Sequence, residues 1–293
     1  MKKFLVKSKA TEYQFCGLLK FYKMKQITIL TIAICIFSNS IFSQKKMPIT
    51  NKIISGFSHI KDTNRPDIIS DEDMILHITS DESKYQSYTL QIMDSINDEN
   101  YKRSGKLFVS NGTREQIFTD FNNRIQYSVF PWLNDTLLIK NNLDSINWII
   151  KDSSKNISGF ECLKAEGFCK GRFYEVWFCP EIPIAAGPWK LSGLPGLILE
   201  AYDLRRSIIF TFKSITNIEV PEYINLPNKF SQVTTNEFIK MKESLLSNPS
   251  GYINSVINAN SFSNGINSAS KIDIKNSSSG NIIRKKINNP LEL

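Results

Sequence analysis

Apolar residues in this chain fall mostly at alternate positions or in short runs, and turn residues cut the runs apart. Residues 74–79 read as the first full strand, preceded by a short one carrying Ile53, Ile54 and Phe57. Further strands are expected over 106–109, 115–119, 124–130, 136–139, 147–151, 155–165, 172–179, 197–202 and 207–215. Asn111-Gly112, Asn122-Asn123, Asn134-Asp135 and Asp152-Ser153-Ser154 are the turn signals between several of them. Strands this close together, without helices between them, pair antiparallel rather than through βαβ crossovers. The expected fold is therefore mainly β, a hairpin series forming a curved sheet or half-barrel.

Two stretches have helical spacing instead. Over 84–97, Tyr85, Tyr88, Ile92 and Ile96 recur on one face, with Asp81 or Ser83 as the cap. Over 235–247, Thr234 and Glu237 have the capping-box spacing, Phe238, Met241 and Leu245 share a face, and Asn248-Pro249 ends the helix.

The clearest hairpin joins 157–165 to 172–179 around 166–171. In its second strand Phe173, Glu175, Trp177 and Cys179 lie on one face, with Arg172, Tyr174, Val176 and Phe178 on the other. Both faces carry large apolar groups, so this strand is central and covered. A turn centred on Cys169 sets Cys162 opposite Val176. A Cys162–Cys179 bridge would then need a shifted register or a bulge. Cys162, Cys169 and Cys179 are read as buried thiols, with one disulfide plus one thiol as the alternative.

Composition sharpens this picture in one place. The chain has 293 residues and a net charge of +8, but residues 1–43 hold seven lysines against one acid, Glu12. The remainder is nearly neutral and offers no basic stripe for nucleic acid. Lys23-Met24-Lys25, the apolar run 27–37 and the small polar exit 38–43 form a secretory leader, 1–43, with Met24 as an alternative start. The run has 11 residues, short of the ~20 that a membrane-spanning helix needs. The β-rich domain is expected over 44–246, followed by an Asn/Ser-rich, partly flexible segment over 247–293.

The densest stretch is Gly187-Pro188-Trp189-Lys190-Leu191-Ser192-Gly193-Leu194-Pro195-Gly196-Leu197-Ile198. Leu194 to Leu197 suits a type II turn, with Pro195 fixing φ and Gly196 supplying φ > 0. Gly187, Pro188, Gly193, Pro195 and Gly196 are then architectural. Trp189, Leu191, Leu194 and Leu197 are expected to form an apolar lip at the mouth of the curved sheet. Gly193 and Gly196 do not make a phosphate cradle, because no Lys-Ser/Thr follows and a strand rather than a helix comes next.

Other chemistry is sparse. The histidines His59 and His77 sit in no recognisable motif, which leaves the cysteines without an evident base. Asp71-Glu72-Asp73 and Asp81-Glu82 lack the spacing of a calcium loop. Glu161 and Glu175 are the one pair of carboxylates placed to act as acid and base across the hairpin, although Lys164 and Arg172 make ordinary charge pairing the simpler reading. No catalytic residue, metal site or cofactor is assigned.

The wording of 157–165, of 171–178, of Glu181-Ile182-Pro183 and of 187–198 resembles the GLPGLI family, exported Porphyromonas-type proteins of Bacteroidetes. Trp148, the tail Asn289-Pro290-Leu291-Glu292-Leu293 and a leader ending in Ser-Gln are similar to its other features. The resemblance implies a β-rich protein of the periplasm or outer envelope, and no established activity. It implies an outer-membrane β-barrel receptor or transporter as a partner, or a lipid-like ligand. The expected function is thus binding of an apolar ligand or an envelope protein through the curved sheet. A thiol- or carboxylate-dependent periplasmic enzyme and a structural subunit of a surface complex are the alternatives.

Overall fold

The computed structural model describes residues 46–104, 112–133, 135–252, 254–255 and 288–292. The leader, the strand expected over 106–109 and residues 256–287 lie outside these. The compact unit Met47–Leu293 is built on one sheet of 12 strands. They are β1 (Asn51–His59), β2 (Ser70–Ile78), β3 (Glu82–Ser87), β4 (Gln116–Asp120), β5 (Ile125–Trp132), β6 (Asp135–Asn142), β7 (Ile149–Ile157), β8 (Phe160–Cys169), β9 (Arg172–Cys179), β10 (Leu197–Asp203), β11 (Ile208–Asn217) and β12 (Ser231–Val233). The two longer helices among the described residues are α1 (Tyr88–Ser104) and α2 (Thr235–Ser247).

The strand order is β12-β6-β5-β4-β3-β2-β1-β11-β10-β9-β8-β7. Two meanders, β1 to β6 and β7 to β11, are joined where β1 pairs with β11. Every pairing is antiparallel except that of β12 with β6. Residues 143–148 run from β6 to β7, on opposite flanks of the sheet. Such a link reaches ~25 Å at full extension, whereas ten strand spacings in a flat sheet would separate its ends by ~48 Å. The sheet must therefore curl. It stays open, because the edge strands β12 and β7 do not pair.

The turns explain the register. Ser158-Gly159 (φ 52° and 96°) and Lys170-Gly171 (φ 47° and 83°) both have positive φ at two successive residues. This is the type I′ geometry that matches strand twist. The strand expected over 155–165 is thus itself a hairpin, with Gly159 at its tip. The hairpin expected to turn over 166–171 turns instead at Lys170-Gly171, pairing Cys169 with Arg172 and Leu163 with Phe178. Its register is shifted from the one expected.

The first helix also starts later than expected. Residues 84–87 belong to β3, where Tyr85 pairs with Leu76 and Ile117. Ser87, not Asp81 or Ser83, caps α1 by accepting from the Leu90 N–H at 3.1 Å. The α2 helix begins as the sequence specifies: Thr234 accepts from the Glu237 N–H, and Glu237 accepts in return from the Thr234 N–H at 2.7 Å.

The main core joins side chains of β1 to β4 (Ile53, Phe57, Met74, Leu76, Tyr85, Ile117) to those of β8 to β11 (Ala165, Val176, Phe178, Ala201, Phe210). Between them lie residues from the 180–196 connection: Ala186, Trp189, Leu191 and Leu194. A second cluster, Ile49, Phe118, Val129, Leu138 and Ile224, is built partly from the segment after β11.

Candidate functional site

The 180–196 connection holds itself together through backbone hydrogen bonds. Leu191 N–H donates to Pro188 O, Gly193 N–H to Ala185 O, Leu197 N–H to Ile182 O and Ile198 N–H to Ala186 O. Trp189 and Gly193 take the positive φ values (55° and 93°). Gly196 does not, so the type II turn expected at 194–197 is not what places a glycine there. A Cβ on Gly196 would lie 2.3 Å from Cys179 O, so this glycine lets two backbones touch. Gly187 serves the same purpose: a Cβ there would stand 2.8 Å from both Leu191 O and Ile198 Cβ. Pro188 is buried beside it, while Pro195 is exposed. Trp148 closes the other side, donating from Nε1 to Ser192 O at 2.9 Å.

The expected apolar lip is core. Trp189, Leu191, Leu194 and Leu197 are 4%, 1%, 2% and 0% exposed. Curling of the sheet around the connection turns these side chains inward, so they present no surface at a mouth. The groove that does lie at the surface near α2, about 380 Å³, is lined by Lys140, Asn141, Gln232, Thr235 and Glu237, and is polar.

The connection also carries a charge into this interior. Lys190 Nζ lies 3.6 Å from Glu115, just before β4, and is paired with Glu292 of the tail. Burial raises the Glu115 pKa, although Lys190 and a hydrogen bond from Ser128 oppose the rise. Burial works against the Lys190 ammonium, but Glu115 and Glu292 outweigh it and hold its pKa above the usual value. Lys190 thus joins Glu115 to Glu292, and the 288–292 segment closes over the group.

The tail is held by a second buried group. Arg172 donates to Asp203 at 2.9 Å, to Asn289 Oδ1 at 2.5 Å and to Pro290 O at 2.6 Å. Asp203 also accepts from Ser207 N, Ser207 Oγ and Ile208 N. Asn289 Nδ2 donates to Ile60 O, and His59 Nε2 lies 2.8 Å from Asn289 O. Burial lowers the His59 pKa, so the neutral ring donates to that carbonyl. Neither cluster is legible in the sequence. The sequence points to them only through Lys190, the one titratable side chain in the dense motif, and through the tail that the resemblance singles out.

The expected acid–base pair is not assembled. Glu161 accepts from Asn156 at 3.2 Å. Glu175 pairs instead with Lys164 at 2.8 Å and accepts from Tyr202 Oη. Burial raises the Glu175 pKa, but Lys164 and Tyr202 together hold it below the usual carboxylate value. Its two oxygens are committed to a surface network that also includes Trp177 Nε1 donating to Tyr202 Oη at 3.0 Å. Glu72, from the acidic run inside β2, accepts from Ser87 Oγ and the Thr113 N–H, a structural role.

Cys162, Cys169 and Cys179 are all free and buried. Burial pushes the thiols of Cys162 and Cys169 up to about 12, which leaves almost no thiolate for nucleophilic work. His77, in β2, has its pKa lowered to about 4, first by burial and then by Lys52 and Lys84.

What the strands do present to water is the far end of the β8–β9 hairpin. Phe168 and Phe173 flank its turn, edge to face with ring centroids 5.1 Å apart. They are 54% and 57% exposed, and Leu204, whose N–H donates to Phe173 O, is 72% exposed. Ile149 and Ile150 are also exposed, on the neighbouring edge strand β7.

Comparison with known proteins bears on this same part of the chain. Residues 168–200 match a family described as "Protein of unknown function (Porph_ging)", in keeping with a Porphyromonas-type relationship over that stretch. No curated protein matches the chain. Among solved structures, it is similar to "Structure of PNGF-II in P21 space group", with 17% identity over 66% of this chain and 32% of that one and a TM-score of 0.47. The C2 form of PNGF-II gives 16% identity, 65% and 32% coverage and a TM-score of 0.46. This chain thus spans about a third of the length of those structures. The family match, residues 168–200, covers the Phe168–Phe173 hairpin end and the whole buried connection.

Proposed function

We propose that this chain is an exported envelope protein of the GLPGLI type that acts by binding another envelope protein, without catalysing a reaction. The observation that carries this reading is the aromatic pair Phe168 and Phe173 held out at a hairpin end beside Leu204. Large apolar side chains cost free energy in water, and a contiguous set of them on a rigid element is what a protein partner buries. A partner is favoured over a lipid because Trp189, Leu191, Leu194 and Leu197 are consumed by the core. The enzyme alternatives lose their groups: burial holds the Cys162 and Cys169 thiols protonated, and Glu175 is tied to Lys164 and Tyr202.

The test is in-cell crosslinking followed by purification in mild detergent, comparing the native chain with a Phe168→Ala/Phe173→Ala variant. The expected result is a defined envelope protein that co-purifies stoichiometrically, rebinds when both components are pure, and is lost with the double variant. Equal capture by the variant, or co-purifying lipid without protein, overturns the reading. A partner retained by the variant but lost on changing α2 would indicate a structural subunit held by a different face.

A further inference from the structure

The register of the β8–β9 hairpin brings two cysteines together. With Lys170-Gly171 as the turn, Cys169 pairs with Arg172 and the ladder runs regularly to Leu163 and Phe178. The same register carried one residue past Leu163 and Phe178 would set Cys162 opposite Cys179. Cys162 is held in place from its other side by pairing with Lys155 of β7, and Cys179 by pairing with Leu197 of β10. Both residues are 0% exposed, and the Cys162 thiol donates to Phe160 O at 3.5 Å. Residues directly opposite in an antiparallel pair have Cα atoms ~4.5–5.5 Å apart, inside the ~4.4–6.8 Å range that a disulfide spans. Cys169 faces Arg172 at the other end of the hairpin, where no second cysteine is in register.

We propose that Cys162 and Cys179 are a cross-strand disulfide site, closed as the chain folds by a small disulfide of the glutathione type, with Cys169 left as the free thiol. The chemistry is two exchanges. One cysteine thiolate attacks glutathione disulfide, giving a mixed disulfide and one glutathione thiol. The second cysteine attacks the protein sulfur and releases the other glutathione. The protein loses two protons and two electrons, which reduce one glutathione disulfide to two thiols. In the folded chain burial suppresses the thiolate, so closure belongs to folding, while the hairpin is still open to solvent. Once closed and buried, the bridge is shielded from reductants. An exported location would supply the oxidising surroundings; the pairing itself is independent of that reading.

The experiment takes the full chain, reduced in guanidinium, and refolds it with a mixture of glutathione and glutathione disulfide. Samples are acid-quenched, alkylated under denaturing conditions and mapped by peptide mass spectrometry. The expected result is a linked Cys162–Cys179 peptide as the dominant bridge, alkylated Cys169, and a Tm higher by on the order of 5–10 °C than the reduced protein. Cys169→Ser should bridge as fully as the native chain, and Cys162→Ser should leave Cys179 alkylated or carrying glutathione. Alkylation of both Cys162 and Cys179, or the same mixture of bridges as in a control kept in guanidinium, overturns the proposal. A bridge formed in defined buffer but absent from cells sampled directly into acid would sustain the site and count against export.

Discussion

At the scale of single residues, glycine illustrates how one sequence feature can have two causes. The turn reading asks Gly196 for a positive φ, yet the positive values fall on Trp189 and Gly193. The backbone of Cys179 passes so close to Gly196 that no side chain fits, and neither Cys179 O nor Pro180 Cα can move aside as a flexible side chain would. Gly196→Ala should therefore cost about 2 kcal/mol or more, measured as a lower urea midpoint. Gly193→Ala, which meets nothing nearer than Trp148 Nε1 at 4.0 Å, should cost about 1 kcal/mol, from its φ alone. Equal midpoints for the two variants would show that the backbone approach at Gly196 contributes nothing.

Between elements, the tail is the least expected contact. Residues 288–292 reach the hairpin β8–β9 and the end of β1 through Asn289, which meets Arg172, Ile60 and His59 at once. Removing that side chain strands part of a buried guanidinium and a backbone carbonyl. Asn289→Ala should destabilise the fold by about 1–3 kcal/mol, with protease sensitivity rising at the C-terminus as the local readout. A midpoint unchanged within error would mean that the tail is not held by these bonds. The Thr234–Glu237 cap of α2 shows the opposite case, since all of its hydrogen bonds are local and its sequence spacing was sufficient to read them.

For the whole molecule, pH should act through His77. Its folded pKa is about 4, against 6.5 for a free imidazole. Between those values the unfolded chain binds more protons than the folded one, so stability rises with pH. The contribution is complete above pH 6.5 and is lost as pH falls toward 4. In urea titrations at pH 7, 6 and 5 the native chain should lose stability steadily, and His77→Phe should flatten the slope between pH 6.5 and 5, before most carboxylates titrate. Parallel slopes for the two proteins would place the sensitivity elsewhere, His59 being the other buried imidazole.

The sequence by itself determined what local physics controls. Alternation and closely spaced turns determined a mainly β, antiparallel sheet, and the capping box determined α2. The positions of Tyr85 and of the β8–β9 turn were not determined locally, because helical spacing and strand pairing both suit Tyr85, and a six-residue stretch offers several turns. Tertiary structure decided these through strand pairing, which rewards only one register. It also decided the fate of the dense 187–198 motif. Six residues linking opposite flanks of the sheet force it to curl, and a curled sheet must fill its interior. Side chains that could have lined a surface became the filling, and Lys190 found Glu115 and the tail across a distance no sequence spacing encodes.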